Sequence, residues 1–246
     1  MKIIISPAKK MNVDADSLPI DGLPQFLPQT ERLLAKLQSM FPKELQSLWK
    51  CNDNLAQLNI ERLKAMTLRQ NLTPAILSYE GIQYRYMAPG VMTAGQLEYL
   101  REHLRILSGF YGLLRPFDGV TPYRLEMQAK LSVGGAKDLY AFWGDSIAKE
   151  LEGDWVLNLA SKEYSKAVTP YLPANSVLTC VFGEWLSGKV IEKGTMCKMA
   201  RGQMVRWLAE NDIKMPEEIR EFADLDYRFD TELSTENTFI FIKGGR

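Results

Sequence analysis

Lys9, Arg124, Glu126, Asp145, Ser161 and Arg201 each stand beside an apolar stretch of chain, where strand and helix ends bring polar side chains together into clefts. Brought together, Lys9 and the two arginines would bind a phosphate or a carboxylate, while Glu126 or Asp145 would move protons. Lys9, Glu126, Asp145 and Ser161 are therefore the candidate catalytic residues. The same residue types also build structural ion-pair networks, so both readings stay open here. Lys9 follows Ser6-Pro7, and three roles fit it: a phosphate contact, a Schiff-base nucleophile or a solvated lysine.

A second candidate is Leu107-Ser108-Gly109-Phe110-Tyr111-Gly112. Two glycines permit a tight hairpin whose backbone N–H groups could face a phosphate, with Arg105 and Arg115 flanking it. The plainer alternative is a glycine-capped helix followed by an apolar loop. Arg201-Gly202 interrupts a helical pattern with a glycine that costs about 1 kcal/mol relative to alanine, which points to a close approach of backbone or ligand. The aromatics Tyr140, Phe142, Trp143 and Tyr164 read as packing first and as stacking surfaces second.

Other chemistries find little support. The chain has no Gly-x-x-x-x-Gly-Lys-Ser/Thr loop and no Gly-x-Ser-x-Gly turn. His103 is the single histidine, which argues against a histidine-rich iron site, a His-Cys zinc site and a serine–histidine triad. It reads as a surface or boundary residue of a helix. Cys51, Cys180 and Cys197 are far apart and odd in number, which fits a reducing compartment better than a disulfide framework. No metal site and no cofactor are expected.

The elements that must position these residues alternate. Lys2 to Ile5 reads as a buried strand stopped by Ser6-Pro7. Residues 12–28 read as an irregular connection, followed by helices near 28–40, 43–50 and 53–69. Ala75 to Tyr79 reads as a strand, and Thr93 as the N-cap of a helix that runs through Leu97, Leu100, Leu104 and Leu107 to Gly109. Strands are expected at 123–127 and 155–159, helices at 137–151 and 162–168. A strand pair follows at 176–182 and 188–192 across Ser187-Gly188, then a helix at 198–211 and a closing strand at 238–243. The pattern predicts one α/β domain over 1–246, a mixed central sheet surrounded by helices, in no standard doubly wound order.

With 246 residues and 46% hydrophobic content, the chain can bury one substantial core without staples. The apolar run after Met1 is too short for an export signal or a membrane span, so a cytoplasmic protein with no membrane partner is expected. Thirty basic residues balance thirty acidic ones, which removes a global electrostatic argument for nucleic-acid binding and leaves a local patch possible. Residues 189–206 hold five basic residues against Glu192, and 216–236 hold eight acids against two arginines. Solvated faces or, for the acidic segment, an interaction surface both fit.

Six short motifs stand out: I-S-P-A-K at 5–9, L-S-G-F-Y-G-L-L-R-P at 107–116, P-Y-R-L-E-M at 122–127, D-L-Y-A-F-W-G-D at 138–145, N-L-A-S-K-E-Y at 158–164 and K-M-A-R-G-Q-M at 198–204. In order and coverage they resemble the YaaA peroxide-stress family. The resemblance implies a cytosolic bacterial protein that protects against hydrogen peroxide by lowering free iron and limiting DNA damage, and it implies duplex DNA binding. It further implies an unusual compact α/β fold with a positively charged cleft and a helix-hairpin-helix-like element, supplied here by 107–116. Pro116 arrives four residues after Gly112, so the second helix of that element would be short.

Double-stranded DNA held without sequence specificity is thus the leading partner, with Lys9, Arg105, Gly109, Gly112, Arg115, Arg124, Lys198 and Arg201 as the phosphate-binding set. The rival is an enzyme acting on a small phosphorylated or nucleoside-like ligand in the same cleft, because a pure DNA clamp hardly needs Glu126 and Asp145.

Overall fold

A computed structural model describes residues 1–14 and 16–245 of the chain; position 15, within the 12–28 connection, lies outside the described residues. Its first strand, β1 (Lys2–Ile5), carries Ile3, Ile4 and Ile5 with no solvent exposure at all. Three consecutive buried isoleucines mean both faces of the strand are covered, as expected of a central strand in a parallel sheet. Helices α1 (Leu27–Gln38), α2 (Pro42–Trp49), α3 (Asp53–Ala65), α4 (Ile82–Met87) and α5 (Ala94–His103) follow. Then come strands β2 (Leu104–Ser108), β3 (Gly112–Leu114) and β4 (Val156–Asn158), and the short helix α6 (Lys162–Ser165). The chain closes with β5 (Val177–Leu186), β6 (Lys189–Ile191), α7 (Gly194–Glu210), β7 (Tyr227–Phe229) and β8 (Thr238–Lys243).

One mixed sheet gathers these strands in the order β7-β8-β5-β4-β1-β2-β3, with β6 paired to β5 outside that path. The five inner strands run parallel, and β7, β3 and β6 are antiparallel to their neighbours. The sheet therefore draws on residues from Lys2 to Lys243. The expected mixed central sheet surrounded by helices is present. After β1 the chain builds β2 on one side, then returns to lay β4, β5 and β8 on the other. Such a reversal opens a crevice at the carboxyl ends of the strands, here just beyond Ile5 and Asn158.

Local chemistry sets several boundaries. Thr93 caps α5 in a reciprocal box: its hydroxyl accepts from the Gln96 N–H, and Gln96 Oε1 accepts from the Thr93 N–H at 2.8 Å. Ser187 and Gly188 both have positive φ (49° and 77°), the geometry of a tight two-residue hairpin turn.

Four expectations are corrected. The helix from Thr93 ends at His103, and Leu104–Ser108 pairs with β1 (Ile3 with Leu104, Ile5 with Ile106); a run of leucines suits either element until a partner strand is present. Ala75–Ser78 is a helical turn between two-residue bridges. Residues 123–127 form no strand, and 137–151 gives two short helices, Leu139–Trp143 and Ser146–Lys149, parted at Gly144 with φ 50°.

The fifth correction bears on function. The helix-hairpin-helix-like element expected at 107–116 is a β-hairpin, β2 to β3, buried from Ile106 to Leu114. The N–H groups of Phe110 and Tyr111 donate to Ser108 Oγ at 3.1 and 2.8 Å, so they are committed inside the protein.

Candidate functional site

The crevice at the ends of β1 and β4 is a cleft of about 430 Å³. Its floor begins where Ser6 and Ser161 leave the two strands: the Ser161 N–H donates to Ser6 Oγ at 2.8 Å, and Ser6 Oγ lies 3.2 Å from Ser161 Oγ. Tyr84, from α4, donates its hydroxyl to the Ser6 carbonyl at 3.0 Å. Helices α4 and α7 form one wall. They approach so closely that a Cβ on Gly202 would overlap the Gln83 carbonyl oxygen, which accounts for the glycine inside α7.

The loop 123–126 and Lys9 make up a second group. Glu126 Oε1 stands 3.4 Å from Lys9 Nζ and 3.5 Å from Arg124 Nη2. Glu126 and Arg124 side chains are 14% and 10% exposed, whereas Lys9 is 65% exposed. Arg201 Nη2 reaches Glu192 Oε2 at 3.6 Å. Four buried polar atoms here lack a hydrogen-bond partner among the described residues: Gln83 Nε2, Arg124 Nε, Glu126 Oε1 and Arg201 Nε. Such atoms are rare in folded proteins and cost about 1–3 kcal/mol each.

The six sequence motifs divide between lining and support. Residues from 5–9, 122–127, 158–164 and 198–204 line the cleft. The other two lie behind it: Trp143 Nε1 donates to the Gly109 carbonyl at 3.1 Å, and a Cβ on Gly109 would meet the backbone of Leu125 to Met127. Tyr123 joins the two layers, with its hydroxyl 2.6 Å from Ser108 Oγ and 2.8 Å from the Tyr79 hydroxyl. Burial raises the Tyr123 and Tyr164 phenols far above their usual range and lifts the Glu163 carboxyl as well.

Lys9, Arg124, Glu126, Ser161, Lys198 and Arg201 are thus brought together. Five expected members are elsewhere. Asp145 is exposed and paired with Lys149 at 2.9 Å, which lowers its pKa. Arg105 donates to the carbonyls of Arg101 and Leu104. Its charged neighbours include Arg115, Asp118 and Asp154, and Asp154 pairs with the Met1 amino group and Lys2 at the opposite end of β1. Arg115 belongs to that same group, its N–H held by Asp118 Oδ2 at 2.8 Å. Gly109 and Gly112 are buried behind the cleft, Gly112 against the Trp143 ring.

His103 is likewise buried, its Nδ1–H donating to the Met1 carbonyl at 2.9 Å. Sequence reasoning missed Glu80, Gln83 and Tyr84, which also line the cleft. The interior glycine of α7 signalled a close neighbour without saying that Gln83 was the one. With five cations (Lys9, Lys10, Arg124, Lys198, Arg201) against Glu80, Glu126 and Glu163, the cleft is mixed in charge with a basic excess.

Residues 1–233 match the family model described as "Peroxide stress protein YaaA". The chain belongs to the YaaA peroxide-stress family. It is 54% identical to a "UPF0246 protein" of Lachnoclostridium phytofermentans over 247 aligned residues, 99% of this chain and 97% of that one. A "UPF0246 protein" of Lactiplantibacillus plantarum is 54% identical over 245 residues, covering 98% and 99% of the two chains. A role in peroxide stress follows from membership of the YaaA family.

For a YaaA-family chain the thiols need separate attention, because a thiolate can reduce peroxide directly. Cys180 and Cys197 are buried, and burial pushes both thiols up, Cys180 most strongly. The Cys197 thiol donates to the Phe182 carbonyl at 3.2 Å. Both are poor nucleophiles. Among the described residues no helix is long and apolar enough to cross a membrane, and no group of three His, Cys, Asp or Glu side chains is placed to hold a metal ion.

Proposed function

We propose that the protein serves the cytosolic response to hydrogen peroxide by limiting free iron and DNA damage, and that it does so by holding duplex DNA without sequence specificity at the mouth of the cleft. The observation that carries this reading is the clustering of Lys9, Lys10, Lys198 and Arg201 around one opening. An adjoining groove lined by Arg85 and Arg206 extends the basic surface across α4 and α7. Lys198 is exposed and has no ion-pair partner among the described residues. Exposed cations on one face bind the phosphate backbone with little base readout. Arg105, Arg115 and the buried hairpin glycines play no part in this reading.

The test is fluorescence anisotropy of a labelled duplex across a salt series. Wild type should show a steep salt dependence, and Lys9→Gln with Lys198→Gln should reduce the slope by about 0.9 for each lost phosphate contact. Arg115→Ala should leave it unchanged. A flat salt response in wild type would sink the reading.

One observation favours a second reading, an enzyme acting on a small phosphorylated or nucleoside-like molecule. Glu126 lines the cleft with Lys9 and Arg124 on either hand, where a carboxylate weakens attraction for a polyanion but suits proton transfer. A Glu126→Gln variant that keeps DNA affinity while losing turnover or a ligand thermal shift would support it; unchanged ligand behaviour counts against it.

A further inference from the structure

The side chains that carry those unpartnered buried atoms line the cleft and define a complement. The Arg124 and Arg201 guanidiniums and the Gln83 amide offer donors, and the Glu126 carboxylate offers an acceptor. Gln83 is 7% exposed and the Arg124 side chain 10%. A ligand that satisfies the set carries an anionic group for the guanidiniums, one N–H or O–H for Glu126 and one acceptor for the Gln83 amide. Pro7, Ile82, Leu125 and the tyrosines Tyr84 and Tyr164 supply ring-sized apolar surface between these groups.

Size narrows the choice. About 430 Å³ falls within the range of small-molecule sites. Inorganic phosphate or an amino acid would leave most of that space empty, and a stacked duplex is too wide to enter it. We propose that the cleft receives one nucleoside monophosphate unit, with its phosphate on Arg201 and Lys198 and an exocyclic amine of the base donating to Glu126. The inference rests on the reading that this cleft is where phosphate is held, and it adds what else is held there. The Gln83 amide, on the lining of the same cleft, would take the base acceptor next to the amine, since adenine and cytosine each carry an acceptor adjacent to a donor on one edge. Lys9 Nζ and Arg124 Nη2 flank Glu126 Oε1 at 3.4 and 3.5 Å and hold the carboxylate in place.

The unit could be a free nucleotide or one nucleotide displaced from a nucleic-acid strand; the chemistry of recognition is shared. Isothermal titration of the purified full chain with AMP, CMP, UMP, ribose 5-phosphate and inorganic phosphate tests it. AMP or CMP should bind about tenfold more tightly than UMP, as expected for one good base-edge pairing, and ribose 5-phosphate should bind more weakly than either. Glu126→Gln should abolish the preference for amine-bearing bases, a change that loss of packing alone would not produce. Arg201→Gln should weaken every nucleotide about tenfold; if that variant has a lowered thermal midpoint, the exposed Lys198→Gln replaces it.

Competition by duplex and by single-stranded DNA against a fluorescent AMP analogue separates the sources. Displacement assigns the unit to a polymer, and its absence assigns it to the free pool. Equal binding of ribose 5-phosphate and AMP overturns the proposal in favour of a phosphate-only site, as does the absence of saturable heat with every nucleotide. Salt-dependent duplex binding without any nucleotide binding overturns it while leaving the DNA reading intact. Nucleotide binding with a flat duplex salt response does the reverse.

Discussion

At the residue scale, two positions show how much depends on single atoms. Gly202 lets α7 rest on α4 at the Gln83 carbonyl. Gly202→Ala adds helix propensity in isolation, yet it should destabilise the protein by about 1–3 kcal/mol through overpacking, read as a lower urea midpoint with an unchanged slope. A gain in stability would mean the two helices are not held as described. Asp118 is buried beneath Arg105 and Arg115, and burial pushes its carboxyl up to about 6 from the ordinary 3.8, despite the Arg115 N–H it accepts. A raised carboxyl binds its proton more tightly in the folded chain than in the unfolded one. Its contribution to stability is therefore fully present below about 3.8 and lost as pH rises through about 6. Across that window Asp118→Asn should gain on wild type by about 3 kcal/mol, measured by denaturant melts at pH 4 and pH 7. Parallel curves would remove the shift.

At the scale of elements, the hairpin from β2 to β3 is the buttress on which the cleft loop stands. Gly112 has φ 73° and a Cβ there would come within 2.8 Å of the Trp143 ring. Gly112→Ala should cost about 2–4 kcal/mol, combining left-handed strain with overpacking, and should shift the tryptophan emission because Trp143 must move. A helix-hairpin-helix with an exposed glycine would tolerate the change, so the experiment also discriminates between the two local folds. The reason the sequence misleads here is physical. Leu97, Leu100, Leu104 and Leu107 satisfy helical spacing throughout, and only the hydrogen-bonding edge of β1 draws Leu104–Ser108 out of the helix. Where no distant partner competes, as in α1, α2, α3 and α7, local pattern places the element within a few residues.

At the scale of the molecule, peroxide stress invites the idea that the protein consumes peroxide with its own thiols. The burial and raised pKa of Cys180 and Cys197 argue otherwise. In native buffer a thiol-specific chromogen should modify Cys51 first, which is only half-buried, and the other two should react only on unfolding. Rapid native modification of all three would reopen thiol chemistry. The distribution of charge points the same way: the basic residues that matter are gathered at one end of the sheet, at the carboxyl ends of β1 and β4, while Arg105 and Arg115 serve the other.

The sequence by itself determined the buried first strand, the Ser187-Gly188 turn, most helices and the closing strand, because each is written in short-range pattern: consecutive isoleucines, capping groups and turn residues. It also marked the chemistry-bearing motifs. Tertiary structure alone decided which motifs meet. Lys9, Arg124, Glu126, Ser161 and Arg201 are spread over about three-quarters of the chain, and they converge because parallel pairing of β1 with β4 and close packing of α4 on α7 set them around one crevice. Asp145 has the same local character and is left out, since its helix ends in solvent beside Lys149. Gln83 carries no local signal at all; its place in the cleft comes from a contact with a glycine more than a hundred residues away. Spacing along a chain encodes faces of elements, whereas membership of a site depends on which elements pack together, and that is a property of the whole core.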